Sequence, residues 1–195
     1  MRAPTRQPAA VRPTVTREDY VAVGLEVLGD RGHLGLKLAE VCRRLGVTSG
    51  SFYHYFDNWA DCRHQLIEYW KVNGTLAQLK VICAEPDPRR RIEGLVEVAL
   101  RLNHPAECAI RAWSRVDPEV AAIQAEVDRL RQRVVFDAAL ELGVDGIRAG
   151  RFADAALYLL VGYEQAALAP DLDGLEAIFR DLLSLIEGRT GLASG

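Results

Sequence analysis

Residues 41–56, with the sequence VCRRLGVTSGSFYHYF, constrain the fold more than any other part of this chain. Gly46 follows an amphipathic run and supplies the left-handed backbone that ends one helix and turns the chain sharply into the next. Thr48 or Ser49 can cap that second helix, because a side-chain oxygen there accepts a hydrogen bond from an early amide. The segment therefore predicts a helix, a four-residue turn and a short second helix.

The second helix of this pair has an anchoring face and a polar face. Phe52 and Phe56 are four residues apart, so both rings lie on one side of a helix and can hold it against a core. Tyr53 and His54 point elsewhere, toward solvent. A short helix with a polar free face has the size to enter the major groove of DNA. The pattern is typical of a helix-turn-helix DNA-binding unit.

The stretch GVTSGSFYHYF, from Gly46 to Phe56, resembles the turn and recognition helix of the TetR/AcrR family of transcriptional regulators. The resemblance extends over about residues 15–80, with Thr16 as the cap of a first helix and Gly32 in the link to the second. It implies an all-α fold. In that fold an N-terminal three-helix helix-turn-helix DNA-binding domain is joined to a C-terminal helical ligand-binding and dimerisation domain.

Charge divides the chain in the way that this architecture requires. We predict a disordered basic arm over residues 1–14, a DNA-binding domain over 15–58 and an effector-binding and dimerisation domain over 59–190. Residues 1–80 carry 11 Lys and Arg against 8 Asp and Glu, whereas residues 81–195 carry 13 against 19. A basic amino end on an acidic remainder fits a DNA reader attached to a body that does not touch DNA. Ordinary variation in surface charge is the alternative.

Several positions depart from the phosphate contacts that the resemblance implies. Lys37 stands where the family has a Ser or Thr cap, Ala39 where it often has an Arg, and Asn58 with Trp59 where a Ser-Lys pair is common. Phosphate contacts must therefore come partly from other residues. The amino-terminal arm is either an inert extension or a second source of contacts, through Arg2, Arg6, Arg12 and Arg17. The predicted DNA-binding residues are Lys37, Arg43, Arg44, Thr48, Ser49, Gly50, Ser51, Tyr53 and His54.

Beyond the motif the chain is predicted to be helical nearly to its end, with no strand. A long helix from about Trp59 to Lys80 joins the two domains. The last two helices, over about residues 147–168 and 172–187, are apolar around more of their circumference than a surface helix needs. We predict that they form a two-fold, four-helix interface in a homodimer, although a monomer with these helices in its core is the alternative. The predicted interface residues are Leu175, Phe179, Leu182, Leu183 and Ile186.

The body is predicted to bind a small, largely apolar effector. Its candidate contacts are chosen only by position on helices that can surround a cavity, and packing or solvation is the better explanation of each of them when taken singly. They are Trp70, Asn103, Arg111, Trp113 and Tyr163. His104, Glu107 and Cys108 are close enough in sequence to suggest metal ligands, but Pro105 disturbs the helical spacing that would align them. We predict no metal and no cofactor.

Cysteine spacing and hydropathy indicate where the protein is found. The four cysteines are scattered, with no pair at zinc-knuckle or redox-dithiol spacing, so we expect reduced thiols, with a redox switch as the alternative. The chain has no run of 18 apolar residues, and its amino end lacks the apolar core of a signal peptide. These features predict a cytoplasmic protein with no membrane partner.

The sequence as a whole predicts a transcriptional regulator that acts on DNA. We expect a dimeric repressor that binds a palindromic double-stranded operator and is released by a small-molecule effector. One alternative is a DNA-binding dimer without a sensor. The other is a helical-bundle enzyme, for which the chain offers no phosphate loop, no nucleophile elbow and no metalloprotease motif. The operator, the effector and the sign of regulation cannot be read from the sequence.

Overall fold

The computed structural model describes residues 15–187, which form ten α-helices and one π-helical turn with no strand among them. The predicted arm over residues 1–14 and the last residues of the predicted body lie outside the described range. The all-α prediction is confirmed. The helices are α1 (Arg17–Gly35), α2 (Leu38–Leu45), α3 (Ser49–Phe52), α4 (Trp59–Lys71), α5 (Ala77–Ile82), α6 (Pro88–Arg101), α7 (His104–Ser114), α8 (Pro118–Glu141), α9 (Gly146–Gln165) and α10 (Leu172–Glu187).

The first helix begins and bends where its sequence dictates. Thr16 caps α1 through a capping box, in which its hydroxyl accepts from the amide of Asp19 and the Asp19 carboxylate accepts from the amide of Thr16. Gly32 interrupts α1 with a φ of 64° and a ψ of 179°, a backbone conformation that favours glycine. The helix predicted to end at this glycine therefore continues for one more short turn beyond a kink.

Helices α2 and α3 form the predicted helix-turn-helix. Gly46 ends α2 with a φ of 67°, and the amide of Val47 donates to the carbonyl of Cys42 over 3.0 Å. Thr48 occupies the cap position of α3 but makes no side-chain cap bond. Phe52 and Phe56 are both buried, as their spacing predicted. Their rings stack with centroids 5.0 Å apart and anchor the short helix to the core.

Helices α4 and α5 are joined without a break by a π-helical turn, Val72–Leu76. The buried positions of this long helix recur every four residues up to Trp70, but the next buried residue is Thr75, five residues on. The π turn adds one residue to the helical repeat, so the inward face is shifted by one position. Asn73, which a regular helix would place near the inward face after Trp70, is exposed for this reason.

The DNA-binding part and the body share one hydrophobic core. α1 packs extensively on α7, and α4 packs against α8. The largest buried cluster therefore extends from the aromatic side chains of the helix-turn-helix through α4 to Ile110, Trp113 and Val127 in the body. Two smaller clusters lie between α6, α8, α9 and α10. A displacement of α7 would therefore also move α1, and a displacement of α8 would move α4.

Proline and acidic caps begin the helices of the body. Asp117 caps α8, with Pro118 in its first turn. Asn103 caps α7 and accepts from the amide of Ala106. Pro105 lies in the first turn of α7, which starts at His104. Proline is favoured in this first turn because the amide hydrogen that it lacks would have no partner within the helix there.

The predicted dimer-interface residues face mostly inward. Leu175, Phe179, Leu183 and Ile186 are buried in the core of their own subunit, and Leu182 is half-buried against it. They pack mainly on α6 and α9, against which α10 lies. The large apolar side chains that the last two helices leave exposed are different ones, namely Ile147 and Tyr158 on α9 with Leu172, Ile178 and Leu185 on α10.

Candidate DNA-binding surface and effector cavity

The free face of the helix-turn-helix is polar and open to solvent. Tyr53 is 61% exposed, whereas its neighbour Phe52 is 0% exposed. The solvent-exposed side of this segment and its core-facing side therefore meet at adjacent residues. The other predicted contact residues of this segment are also exposed, apart from the half-buried Ser51; they are Thr48, Ser49, Gly50 and His54. The segment presents hydroxyl, phenol, imidazole and backbone groups at one surface.

The two arginines of α2 are held by a single carboxylate. Arg43 donates to both oxygens of Glu40, over 2.9 and 2.8 Å, and Arg44 donates to Glu40 over 2.9 Å and to Asp30 over 2.7 Å. The hydrogen bonds from Arg43 and Arg44 lower the pKa of Glu40 to about 2. Arg44 thereby joins α2 to α1. A phosphate contact through Arg43 would require the guanidinium to be shared with Glu40.

Lys37 is the freest of the predicted basic contacts. It is exposed at the cap position of α2, and its side chain makes no cap hydrogen bond. Within residues 15–187 no carboxylate pairs with it. The first amides of α2 therefore stay available beside a free ammonium group, which is the arrangement that phosphate oxygens prefer.

A second candidate site is an apolar cavity of about 70 Å³ in the body. It lies between the π turn, α5, α6, α8, α9 and α10. Its wall is mainly aliphatic, and Phe179 and Leu182, which were predicted for the dimer interface, are part of it. An engineered cavity of about 150 Å³ binds benzene in another protein, so a ligand of that size or larger must widen this cavity when it binds.

Polar groups meet at the end of the cavity that touches the π turn. Arg131 of α8 donates to Thr75 over 3.1 Å and to Glu107 over 3.2 Å, and Glu107 also accepts from the indole nitrogen of Trp70 over 2.7 Å. The chain of bonds from Trp70 to Thr75 thus spans the π turn from one side to the other. Gln78, one turn further along, also lines this cavity.

A cleft of about 480 Å³ adjoins the cavity on the side of the DNA-binding domain. Leu25 of α1 lines it together with residues of α4, α6 and α7, including Trp70 and Asn103, two of the predicted effector contacts. The cavity and the cleft share four lining residues, which are Gly74, Gln78, Val98 and Leu102. These residues contact both the apolar cavity and the cleft at the boundary between the two domains.

The other three predicted effector contacts line neither space. Trp113 is buried in the main core, with the guanidinium of Arg63 4.8 Å from its ring centroid. Tyr163 packs edge-on against the His104 ring, with centroids 5.0 Å apart. Arg111 is engaged in ion pairs. The structure therefore does not bring the five predicted residues together.

Arg111 is the centre of a buried ion cluster. It binds Asp128 through two hydrogen bonds of 2.8 and 2.9 Å and Glu164 through one of 3.1 Å. Burial and the charge of Glu107 raise the pKa of Glu164 to about 7. Burial lowers the pKa of His104, whose Nδ1 lies 3.8 Å from a Glu164 oxygen that has no hydrogen-bond partner. The guanidinium of Arg111 therefore pairs with two carboxylates, those of Asp128 and Glu164.

The described residues 15–187 contain no cluster of three or more His, Cys, Asp or Glu side chains arranged to hold a metal ion. None of the helices in that range is long and apolar enough to cross a bilayer. Cys42 and Cys62 are buried, and burial raises the pKa of Cys62 to about 12, so this thiol stays protonated at neutral pH.

Comparison with known proteins assigns this fold to a family. The sequence profile of the bacterial regulatory proteins of the tetR family matches residues 21–66, which include the helix-turn-helix. The HTH-type transcriptional regulator BetI of Brucella melitensis biotype 2 is 26% identical over 186 residues, covering 87% of this chain and 90% of that protein. These matches support a TetR/AcrR family transcriptional regulator. Its class is therefore that of transcriptional regulators and not of enzymes.

Other similar proteins agree with this TetR-family assignment. BetI of Rhizobium meliloti is 29% identical over 104 residues, which cover 51% of this chain and 49% of that protein. A transcriptional regulator from Rhodococcus sp. Rha1 has the same fold, with a TM-score of 0.72 and 20% identity over 88% of this chain and 96% of that one. A regulator from Saccharomonospora viridis, solved in complex with choline, has a TM-score of 0.70 and 13% identity over 86% and 95%.

Sequence reasoning missed the polar residues at the end of the apolar cavity. Arg131 lies on a long amphipathic helix where a solvated polar face is the ordinary expectation. Thr75 is turned inward only by the π turn, for which the residues Val72–Leu76 carry no evident signal. Glu107 was considered only as a metal ligand, although its two oxygens are occupied by Trp70 and Arg131.

Proposed function

We propose that this TetR-family regulator is a dimeric repressor that binds a palindromic operator and leaves it when a small molecule binds the body. The observation that carries the proposal is the polar, exposed face of residues 48–54, which we call the recognition segment. The buried rings of Phe52 and Phe56 anchor it to the core. Tyr53 and His54 lie where base edges would be read, and Lys37 lies where a phosphate would bind. Arg43 and Arg44 contribute to the positive surface around Glu40.

Replacing Tyr53 or His54 by alanine is expected to weaken operator binding about 5- to 200-fold each, because each loss removes a groove contact worth about 1–3 kcal/mol. Neither change should alter the helical content. The measurement is fluorescence anisotropy with duplexes from the region upstream of the gene, at two salt concentrations. Affinity should fall steeply with salt in all variants, since Lys and Arg contacts release counterions.

The matched control is Val81→Ala, at a position 72% exposed on α5, a helix that packs on the π turn and α6. It should leave the affinity unchanged. A purified wild-type protein that prefers none of these duplexes over random DNA at low salt would contradict the proposal.

The dimer is proposed to form through the outer faces of α9 and α10. Tyr158, Ile178 and Leu185 are large apolar side chains that are at least half exposed in one subunit. Gly162 on the same face of α9 has open space around it, so a partner helix can approach closely. Two copies of this face bury the apolar groups about a two-fold axis, and the two recognition segments can then meet half-sites about one helical turn apart.

Leu185→Glu and Ile178→Glu are expected to convert the dimer to a monomer without unfolding it, because these side chains are outside the subunit core. Each would place an unpaired carboxylate in an apolar interface. Sedimentation velocity at micromolar concentration gives the assembly state. Val81→Glu, at a position 72% exposed on α5, is the control and should remain dimeric. A monomeric wild-type protein would refute the proposed interface.

Release of the operator by the effector is proposed to act through the cleft between α1 and the helices α6 and α7. Ion pairs fasten α4 to α8, with Arg63 bound to Asp117 over 2.8 Å and Lys71 to Glu126 over 2.9 Å. A molecule that enlarges the cavity beside α8 therefore pulls on α4, and through it on the recognition segment. Coupling of about 1–3 kcal/mol would suffice, and operator DNA must weaken effector binding equally. The choline complex of the Saccharomonospora protein supports a body that can hold a small molecule.

A further inference from the structure

We infer that the molecule bound in the body is uncharged and mainly aliphatic, with one hydrogen-bond acceptor that binds Arg131. This inference rests on the proposed function, since it names the chemical class of the effector. Three independent features of the cavity lead to it, namely the composition of its wall, the donors left free at its polar end, and the balance of charge there.

The wall of the cavity favours an aliphatic body. Side chains of Ile, Leu, Val and Ala from α6, α8 and α9 supply most of it, and Phe152 and Phe179 are its only aromatic residues. Two phenylalanines do not form the cage of aromatic faces that binds quaternary ammonium ions. No aspartate or glutamate is among the lining residues, so a cation would have no counterion in the cavity.

The polar end of the cavity offers donors. A guanidinium has five N–H groups, and the hydrogen bonds of Arg131 within residues 15–187 go from its two Nη atoms to Thr75 and Glu107. The Nε–H of Arg131 has no partner among those residues. Both oxygens of Glu107 already accept bonds, one from Trp70 and both from Arg131. A ligand at this end can therefore accept a hydrogen bond from Arg131, whose carboxylate partner already has both oxygens engaged.

The balance of charge at the polar end disfavours an ion of either sign. Glu107 is almost completely buried and neutralises Arg131, with side chains 3% and 11% exposed respectively. A ligand carboxylate would bring a second negative charge toward Glu107 in a poorly solvated place, and a ligand cation would face the guanidinium. A neutral carbonyl, ether or ester oxygen avoids both costs and still accepts from Arg131.

The ligand-class experiment uses the full-length protein without DNA and three probes of similar size. They are 2-hexanone, hexanoate and choline, titrated by calorimetry or by ligand-observed NMR. We expect 2-hexanone to bind at a single saturable site and the two ions to bind at least about tenfold more weakly. Choline or hexanoate binding as tightly as 2-hexanone would overturn the inference, and so would a failure of 2-hexanone to bind.

Two variants test whether the binding occurs at this cavity. Ala156→Phe fills the apolar part and should abolish 2-hexanone binding, whereas Ala84→Phe, at an exposed position after α5, should leave it unchanged. The double variant Arg131→Met with Glu107→Gln removes the donor without leaving a buried charge unpaired. It should weaken 2-hexanone about tenfold. Unchanged 2-hexanone binding in both cavity variants would place the ligand elsewhere and overturn the inference.

The failure of this inference can be told from failure of the proposed function. If the protein selects its operator but binds choline in preference to 2-hexanone, the ligand class is overturned and the DNA-binding proposal stands. If 2-hexanone binds at the cavity but leaves operator affinity unchanged, the ligand class is supported and the release mechanism is overturned.

Discussion

Phe52→Ala is expected to lower the free energy of unfolding by about 3–5 kcal/mol and to abolish operator binding. The Phe52 ring is completely buried and lies 5.8 Å from the ring of Tyr20, 5.0 Å from Phe56 and 5.9 Å from Trp59, measured between centroids. Helix α3 has only four residues, so it has little stability of its own. Its position depends on this aromatic packing. Urea denaturation and fluorescence anisotropy measure the two effects.

Tyr53→Ala is the matched control, because it removes a neighbouring aromatic ring from the exposed side of the same segment. It should change the free energy of unfolding by less than about 0.5 kcal/mol while still weakening DNA binding. Equal destabilisation by the two substitutions would mean that the recognition segment is not anchored as the structure indicates.

The DNA-binding domain was predictable because its signals are local in sequence. Gly46 is one of the few residues that tolerate the left-handed turn, and the spacing of Phe52 and Phe56 fixes which face of the segment is buried. The capping box at Thr16 is likewise contained within four residues. Each of these features depends on neighbours in the chain, so the periodicity of the sequence was sufficient to find it.

The cavity was not predictable because its polar end is assembled from distant parts of the chain. Arg131 lies 56 residues from Thr75 and 24 from Glu107, and no pattern of spacing links them. The π turn moves Thr75 inward and Asn73 outward, which reverses the expectation from regular helical periodicity. Trp70 and Asn103, which were predicted as effector contacts, line the neighbouring cleft and not the cavity.

The predicted dimer interface shows a different limit of sequence reasoning. α10 is apolar on more than one face, and periodicity does not tell which face belongs to the subunit core. The structure turns Phe179 and Leu183 inward and leaves Ile178 and Leu185 exposed. The helices proposed for the interface are the same, but the residues of the proposal are shifted by one or two positions.

The ion cluster of the body is expected to dominate stability and its dependence on pH. Arg111→Leu should lower the free energy of unfolding at pH 8 by about 3–5 kcal/mol, because it leaves Asp128 and the fully buried Glu164 without their cation. Operator binding should be lost with the fold. The measurement is urea denaturation, and a loss below about 1 kcal/mol would contradict the role of Arg111 as the shared partner.

Glu164→Gln is expected to raise the free energy of unfolding at pH 8, whereas Arg111→Leu lowers it. The direction follows from the pKa of Glu164. The pKa of Glu164 is raised from 4.5 to about 7 by burial, so the folded protein binds this proton more tightly than the unfolded chain. The contribution to stability is therefore present below pH 4.5 and is lost as the pH rises toward 7. Removing the carboxyl charge should raise the stability at pH 8 by up to about 3 kcal/mol.

The pH profile separates this charge effect from a change in packing. Wild-type stability should fall between about pH 5 and 7, and the Glu164→Gln variant should lack that fall. Burial lowers the pKa of His104 from 6.5, so its ring costs stability as the pH falls below about 6.5 and partly opposes the Glu164 effect in the lower part of this range. Asp128 keeps two hydrogen bonds from Arg111 in the variant, so the guanidinium stays paired. Parallel pH profiles for the two proteins would show that Glu164 is ionised throughout.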